Sequence, residues 1–280
     1  MKSSVCDYIL LWVEVNLLTN ENIDCLVKGT GYSRKTLEQW FYNKYSILPA
    51  EYLYRRRMSR AVLYLKFTNM TITEIADIFH YHSNQNFARA IKKYTGKSPT
   101  EYRKDSVWDC SFLQRPLLYP EVINRGERCY LPDLKLEGVQ HECRDSIFIE
   151  ESQAVVTKSI FDVMNDNYYA LRIMNKKEVW VAANVLATKK IDSSRLGLVD
   201  IQLFVGQVDN KNMSVHLYPA GYYMKFHFSG DKDKYRIFSR LIYIDVLASG
   251  KVKKRNAPDL IKILHIEHND INCEIYIPVM

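Results

Sequence analysis

The chain has 280 residues, of which 47% are hydrophobic and 25% are charged. This composition is typical of a folded protein and argues against intrinsic disorder. Lys and Arg exceed Asp and Glu by seven, and residues 1–105 hold sixteen basic and ten acidic side chains, so that +6 of the +7 lies in one third of the chain. That third is predicted to bind a polyanion.

The cysteines and the N-terminal segment exclude several other classes of protein. None of the six cysteines shows CxxC spacing, so we expect free thiols in a reducing cytoplasm and no metal site. The apolar run from Val5 is interrupted by Asp7 and Glu14, which makes it too polar for a signal peptide or a membrane span. We therefore expect no cofactor and no association with a membrane.

Residues 1–105 are predicted to be helical throughout. Side chains suited to N-capping precede four of the predicted helices, and they are Asn20 or Asn22, Ser33, Thr71 and Ser83. Thr71 together with Glu74 matches a capping box. Pro49 is placed at the start of a long helix that continues to about Phe67.

An internal repeat divides this helical third into two similar units. A shift of fifty residues aligns Ser33 with Ser83 and Pro49 with Pro99, and upstream of Ser33 the shift becomes forty-nine, which aligns Gly31 with His80. Matched core, cap and proline positions make a chance repeat improbable. The repeat predicts two helix–turn–helix units in tandem.

The second helix of each unit carries a hydrogen-bonding outer face, as a helix in the major groove requires. The predicted base-reading residues are Arg34, Lys35, Thr36, Glu38, Gln39, Asn84, Gln85, Asn86 and Arg89. The predicted phosphate contacts are Ser33, Lys44, Arg55, Arg56, Ser83, Lys92, Lys93, Lys97 and Arg103, which would supply affinity without sequence information. Glu38 could accept from a cytosine amine or repel phosphate. Two ordinary solvated helix faces are the alternative.

The remainder of the chain changes character. Residues 109–128 contain prolines and no sustained period, which predicts a linker that packs in part. The strands predicted beyond it are Lys135–Cys143, Val179–Leu186, Val199–Gln207, Tyr222–Phe228, Leu260–Ile266 and Cys273–Val279, interrupted by helices over Glu151–Met174 and Asp233–Ala248. The predicted fold class is therefore multidomain, with an all-α bipartite helix–turn–helix domain at 1–108 and an α+β, mainly antiparallel domain at 129–280.

Residues 9–103 resemble the AraC/XylS family of bacterial transcription regulators, in the branch that carries the DNA-binding half at the N-terminus. The resemblance rests on Ile23–Val27, Gly31–Arg34, Arg57-Met58, Ser83–Phe87 and Tyr102-Arg103. It implies a sequence-specific regulator that is not an enzyme, and more narrowly an activator that contacts RNA polymerase. Such a regulator would bind double-stranded DNA as a monomer in the bacterial cytoplasm, at the nucleoid. His80 departs from the family, which usually has glycine at this turn.

Residues 129–280 resemble, more faintly, a GyrI-like effector domain through Gly221–Gly230 and Ile271–Val279. The resemblance implies a cleft for an amphipathic or cationic small molecule, with Glu274 as its acid. The aromatic walls would be Tyr168, Tyr169, Trp180, Tyr222 and Phe226. Glu274 could instead point outward from an edge strand, the domain could be a ligand-free interaction module of a fimbrial or capsule operon activator, or it could be a weak hydrolase. An architectural DNA binder with little sequence preference is a further alternative.

Overall fold

The computed structural model describes residues 2–105, 107, 109, 111–119, 126–148, 159–173, 178–186, 197–208, 216–247 and 252–280. The chain divides into two compact units. The helical unit comprises Met1–Lys66, Met70–Lys104 and Phe112–Val122, and the sheet unit comprises Ile123–Met280 with the short pieces Phe67–Asn69 and Asp105–Ser111.

Seven helices make up the described part of the helical unit, and the helical prediction for this region is confirmed. They are α1 (Lys2–Val15), α2 (Ile23–Thr30), α3 (Arg34–Tyr45), α4 (Pro49–Phe67), α5 (Ile72–Ile78), α6 (Asn84–Thr95) and α7 (Pro99–Lys104). Asn22, rather than Asn20, caps α2, and Ser33 and Ser83 cap α3 and α6. Thr71 and Glu74 form the complete capping box of α5. Local side-chain chemistry thus sets where these helices begin.

Each helix–turn–helix unit is fixed by apolar side chains on the inner face of its second helix. Leu37 and Phe41 of α3 are buried in a cluster with residues of α1, α2 and α4. Phe87 and Ile91 of α6 are fully buried at the corresponding positions. Full burial of such a side chain contributes about 1.5–3 kcal/mol, so rotation of either helix about its axis would be unfavourable. Burial of the inner faces of α3 and α6 therefore fixes which side chains of these helices face outward.

The segment predicted as a linker packs in part on the helical unit. Leu117 and Leu118 pack against the cluster that holds α3. The Leu117 N–H donates to the Tyr52 hydroxyl at 2.9 Å, and the Gln114 N–H donates to the Ser59 hydroxyl at 2.7 Å. These bonds tie the chain beyond α7 back to α4.

The sheet unit is built on one eight-stranded sheet in which every paired neighbour is antiparallel. Its strands are β1 (Glu127–Leu131), β2 (Leu134–Ser146), β3 (Val179–Leu186), β4 (Leu198–Val208), β5 (His216–Tyr218), β6 (Gly221–Asp231), β7 (Asp259–Glu267) and β8 (Asp270–Pro278). They lie in the order β1-β6-β8-β7-β3-β4-β2-β5. The sheet unit also contains the helices α8 (Ile160–Ile173), between β2 and β3 in the chain, and α9 (Lys232–Ile242), after β6. A π-helical turn over Tyr243–Leu247 follows α9.

The α+β antiparallel prediction is confirmed, with differences at the element ends. All six predicted strands are present, and β3 matches its predicted ends. The short edge strands β1 and β5 lack the apolar alternation by which a strand is recognised, so sequence patterning missed them. Of the predicted helix at 151–174, residues 151–158 and 174 lie outside the described residues, as does residue 248 of the predicted helix at 233–248.

Candidate nucleic-acid interface

The outer face of α3 presents polar side chains that are largely engaged with one another. The Arg34 guanidinium lies 3.0 Å from an Asp24 carboxylate oxygen and 2.8 Å from one of Glu38. The hydrogen bond with Glu38 is the main reason that the pKa of Arg34 is raised. The Gln39 amide donates to the Asn43 side chain at 2.8 Å. Base readout by Arg34 or Gln39 would therefore require existing contacts to be exchanged.

The sequence left open whether Glu38 accepts a hydrogen bond from a cytosine amine or repels phosphate. In the structure Glu38 is paired with Arg34, so its carboxylate is neither free for a base nor an isolated negative charge. Asp24 was not predicted to take part, since it belongs to α2 and lies ten residues from Arg34 in sequence. Lys35 is exposed on the same helix. The Thr36 hydroxyl lies 2.7 Å from that of Ser33 and belongs to the cap.

The outer face of α6 is arranged differently. Gln85, Asn86 and Arg89 are exposed, and within the described part of the chain no carboxylate pairs with the Arg89 guanidinium. Asn84 is exposed too, but its amide donates to the Thr73 hydroxyl at 2.7 Å. This face offers amide and guanidinium groups, which can bind the major-groove edges of adenine and guanine.

Apart from Arg56 and Arg103, the predicted phosphate contacts fall into three groups. Lys92 and Lys93 are exposed in the last turn of α6. Lys44 lies 2.8 Å from Asp7, and Arg55 is paired with Glu51. All four could reach a phosphate, the last two by exchanging a surface ion pair of low energy. Ser33 and Ser83 accept backbone N–H groups as caps, and Lys97 is half-buried. Phosphate contacts by these residues stay predictions.

The prediction for Arg56 is wrong because its side chain is buried. Arg103 is half-buried and its guanidinium already binds two backbone carbonyls, so a phosphate contact by Arg103 stays a prediction. Arg56 is 7% exposed, and its guanidinium donates to both carboxylate oxygens of Glu14, at 2.9 and 2.7 Å. Arg103 donates to the carbonyls of Leu65 and Met70, and burial lowers its pKa. The sequence does not indicate that such a basic side chain is buried when its partner lies far away along the chain, as Glu14 does from Arg56.

Glu274 of the sheet unit lies in β8, between β6 and β7, so the alternative that put it on an edge strand is wrong. Its carboxylate lies 2.7 Å from the Lys225 ammonium and accepts from the Tyr276 hydroxyl at 2.7 Å. Burial raises the pKa of Glu274, but the hydrogen bonds with Lys225 and Tyr276, together with the charges of Lys225 and Lys262, lower it, and the pKa lies below its ordinary value. Neither Lys225 nor Tyr276 was predicted from the sequence, although alternation along a strand puts Tyr276, two residues further on, on the same face as Glu274.

A group of buried strand residues, here called the strand-face cluster, lies on the same face of the sheet as Glu274. Its buried members are Leu136, Trp180, Ala182, Phe204, Tyr223, Leu260 and Tyr276. The Trp180 ring lies 5.6 Å from that of Tyr276, and the Lys262 ammonium lies 5.6 Å from the Trp180 ring centroid. Of the predicted aromatic walls, Trp180 is the one that this cluster contains.

The other predicted wall residues lie elsewhere, so their convergence on Glu274 is wrong. Phe226 pairs with Ile275, and side chains alternate along β8, so it points to the face opposite Glu274. Tyr168 and Tyr169 belong to α8, with hydroxyls at His265 and at the Ile266 carbonyl of β7. Tyr222 is 49% exposed and packs on Tyr130.

The described part of the chain contains neither a membrane-spanning helix nor a cluster of metal ligands. No helix there has the length and apolar character that crossing a membrane requires. No group of three or more His, Cys, Asp or Glu side chains in those residues could hold a metal ion. The five cysteines described are free.

Comparison with known proteins identifies relatives of both the helical unit and the whole chain. A family model described as "Helix-turn-helix domain" matches residues 26–105. The F1 operon positive regulatory protein of Yersinia pestis is 26% identical over 294 residues, covering 100% of this chain and 89% of that protein. The HTH-type transcriptional activator AarP of Providencia stuartii is 33% identical over 121 residues, covering 43% of this chain and 87% of that protein.

Among solved structures, the C-terminal domain of AraT, a response regulator from Geobacillus stearothermophilus, is similar to 36% of this chain and 84% of its own, with a TM-score of 0.34 and 23% identity. The sequence relatives carry the assignment, together with the matched helix–turn–helix model and the tandem units α2–α3 and α5–α6. The chain belongs to the AraC family of transcription regulators, whose members bind double-stranded DNA.

Proposed function

We propose that the chain binds one DNA duplex through α3 and α6, placed in successive major-groove segments, and that α6 makes most of the base-specific contacts. The observation that carries this proposal is the outer face of α6. Gln85, Asn86 and Arg89 are exposed there, and Lys92 and Lys93 follow in the same helix.

The chemistry of α6 suits direct readout. Arg binds the two major-groove acceptors of guanine, and Asn or Gln binds the acceptor and donor of adenine, each good pair contributing about 1–3 kcal/mol of discrimination. The lysines would neutralise phosphates and make affinity fall with salt. On α3, Lys35 is exposed and suits the same role, whereas Arg34 must first leave Asp24 and Glu38.

The biological setting of this binding is proposed on the same basis. We infer that the chain is an activator that contacts RNA polymerase, that it binds DNA as a monomer with both units on one duplex, and that it acts at the nucleoid in the bacterial cytoplasm. Two relatives that are named for positive regulation or activation support the role of activator. We also infer that it is not an enzyme. Glu274, around which a hydrolase would be built, has a lowered pKa, which makes it a weak general base.

A second proposal concerns the sheet unit, which we infer to be a GyrI-like sensor in which Glu274 binds the cationic group of an amphipathic molecule. Trp180 and Tyr276 supply aromatic surface beside it. Because Lys225 already pairs with Glu274, the ligand would have to displace that ammonium. A cationic dye is tested on the full chain, with an anionic bile salt as the control for charge. A thermal shift with the dye that E274Q abolishes supports the sensor, and the absence of a shift with the dye overturns it.

The DNA proposal is tested by equilibrium binding of the purified chain to a duplex that footprinting identifies as its site, in the presence of unrelated duplex. A sequence-specific regulator should prefer its site by on the order of a thousandfold or more. Retention of this preference at excess competitor supports the proposal. Equal binding to both duplexes would identify an architectural binder instead.

A further inference from the structure

His80 occupies a backbone conformation that favours glycine. It lies in the turn between α5 and α6 with φ 57°. The internal repeat aligns it with Gly31, which has φ 71° in the turn between α2 and α3. Glycine adopts this region without steric cost, whereas a Cβ atom there is strained. The second unit therefore carries a side chain where its own backbone geometry favours none.

The imidazole of His80 contacts the loop that precedes the first helix–turn–helix unit. Its Nε2 lies 3.0 Å from the carbonyl oxygen of Leu18, sixty-two residues earlier in the chain. Leu18 belongs to the loop between α1 and α2. Since a carbonyl only accepts, Nε2 carries the proton and donates. A hydrogen bond thus joins the turn that precedes α6 to the loop that precedes α2.

The same loop is held from a second direction. The Arg57 side chain of α4 donates to the carbonyls of Asn16, Thr19 and Glu21, at 2.8, 2.8 and 2.7 Å. A loop anchored in this way is a fixed point for the imidazole to bind. A cleft lies beside the contact, with Asp24 and Arg34 of the first unit and Phe79, His80 and Tyr81 of the second among its lining residues.

We propose that His80 is a positioning residue that fixes the orientation of α6 relative to α3 and thereby sets the spacing between the two halves of the DNA site. The proposal rests on the proposed use of both helices on one duplex. Three residues lie between His80 and Asn84, the first residue of α6, so the bond to Leu18 acts close to the start of the recognition helix. Without it, the turn would keep its backbone conformation but lose its link to the first unit.

The first test needs no DNA. Lys28 and Lys93, both exposed, are each replaced by a keto amino acid to which a spin label is attached. The distribution of distances between the two labels is measured by pulsed electron paramagnetic resonance. H80G removes the imidazole while suiting the left-handed backbone, and H82A is the matched control in the same turn. A narrow distribution in the parent and in H82A that broadens or shifts in H80G supports the proposal. An unchanged distribution in folded H80G overturns it.

The second test uses the full chain and a series of duplexes in which the spacer between the half-sites is shortened or lengthened by one base pair. We expect the parent to bind one spacing at least about tenfold more tightly than its neighbours, which is roughly 1.4 kcal/mol of binding free energy. We expect H80G to bind the neighbouring spacings nearly as well as the preferred one. Equal spacing dependence in both proteins overturns the positioning role. If the parent shows no spacing dependence at all, the two-helix proposal fails, while the spin-label distances still decide whether His80 links the units.

Discussion

The two helix–turn–helix units share a fold and differ in the chemistry of their outer faces. In the first, Arg34 is paired with Asp24 and Glu38, and Gln39 with Asn43. In the second, Arg89 and the amides of Gln85 and Asn86 are exposed, and no carboxylate of the described residues pairs with Arg89. Repetition has preserved the inner, packing positions and allowed the outer ones to diverge.

This difference indicates a division of labour. A side chain that already makes hydrogen bonds must exchange them on binding DNA, so its net contribution is reduced by what it gives up. We therefore expect α6 to dominate sequence preference and α3 to contribute chiefly register and affinity. The measurements below test that expectation.

The largest expected effect concerns α4, which joins the two units. Substitution R56A leaves the buried Glu14 carboxylate without its bidentate partner, and the loss of one partner from a buried ion pair costs about 3–5 kcal/mol. Urea unfolding followed by circular dichroism measures it. The control R55A, on the exposed side of the same helix, should cost less than about 1 kcal/mol. Normal stability of R56A with lost DNA binding would restore Arg56 as a phosphate contact.

A direct comparison of the two recognition helices comes next. Substitution R89A should weaken specific binding by about 1–3 kcal/mol and relax preference at one base pair. Its control is K93A, which should weaken binding to all sequences alike and reduce the slope of affinity against salt by about one. Titration by fluorescence anisotropy at several salt concentrations separates the two. Uniform loss in R89A would show that Arg89 contacts only phosphate.

The corresponding change in α3 should be smaller. Substitution R34A removes a guanidinium already held by two acids, so we expect specific binding to fall by less than about fivefold. The variant E38Q should bind DNA slightly more tightly, because it removes one of the two acids that hold Arg34 and a negative charge from the proposed DNA-binding face. Anisotropy titration at one salt concentration suffices for both. A loss in R34A as large as in R89A would contradict the proposed division.

The smallest expected effect lies in the sheet unit and depends on pH. The pKa of Glu274 in the folded chain is below its ordinary value, so its contribution is present above the ordinary carboxyl range and is lost as pH falls through the folded pKa. Since the group is partly exposed, we expect less than about 1 kcal/mol. Urea unfolding at pH 7 and pH 3 should give a difference that shrinks in E274Q. An identical pH dependence in E274Q would show that the Lys225 pair contributes nothing.

Sequence patterns that act locally were sufficient to predict much of this fold. Caps such as Ser33 and Ser83, and the capping box of Thr71 and Glu74, act over two or three residues and can be identified in the sequence. The pairings of Arg34 with Asp24, Arg56 with Glu14 and Glu274 with Lys225 could not be predicted, because each joins different secondary-structure elements. Alternation along β6 also leaves open which face of the sheet bears a ligand, and Phe226 was misassigned for that reason.

Selection of binding sites from a pool of random duplexes tests the central claim most directly. The intact chain should enrich two half-sites whose centres are about one helical turn, 10–10.5 base pairs, apart, and R89A should lose preference within one half while keeping the other. Enrichment of a single half-site, or no enrichment over unrelated sequence, would contradict the placement of two recognition helices on one duplex.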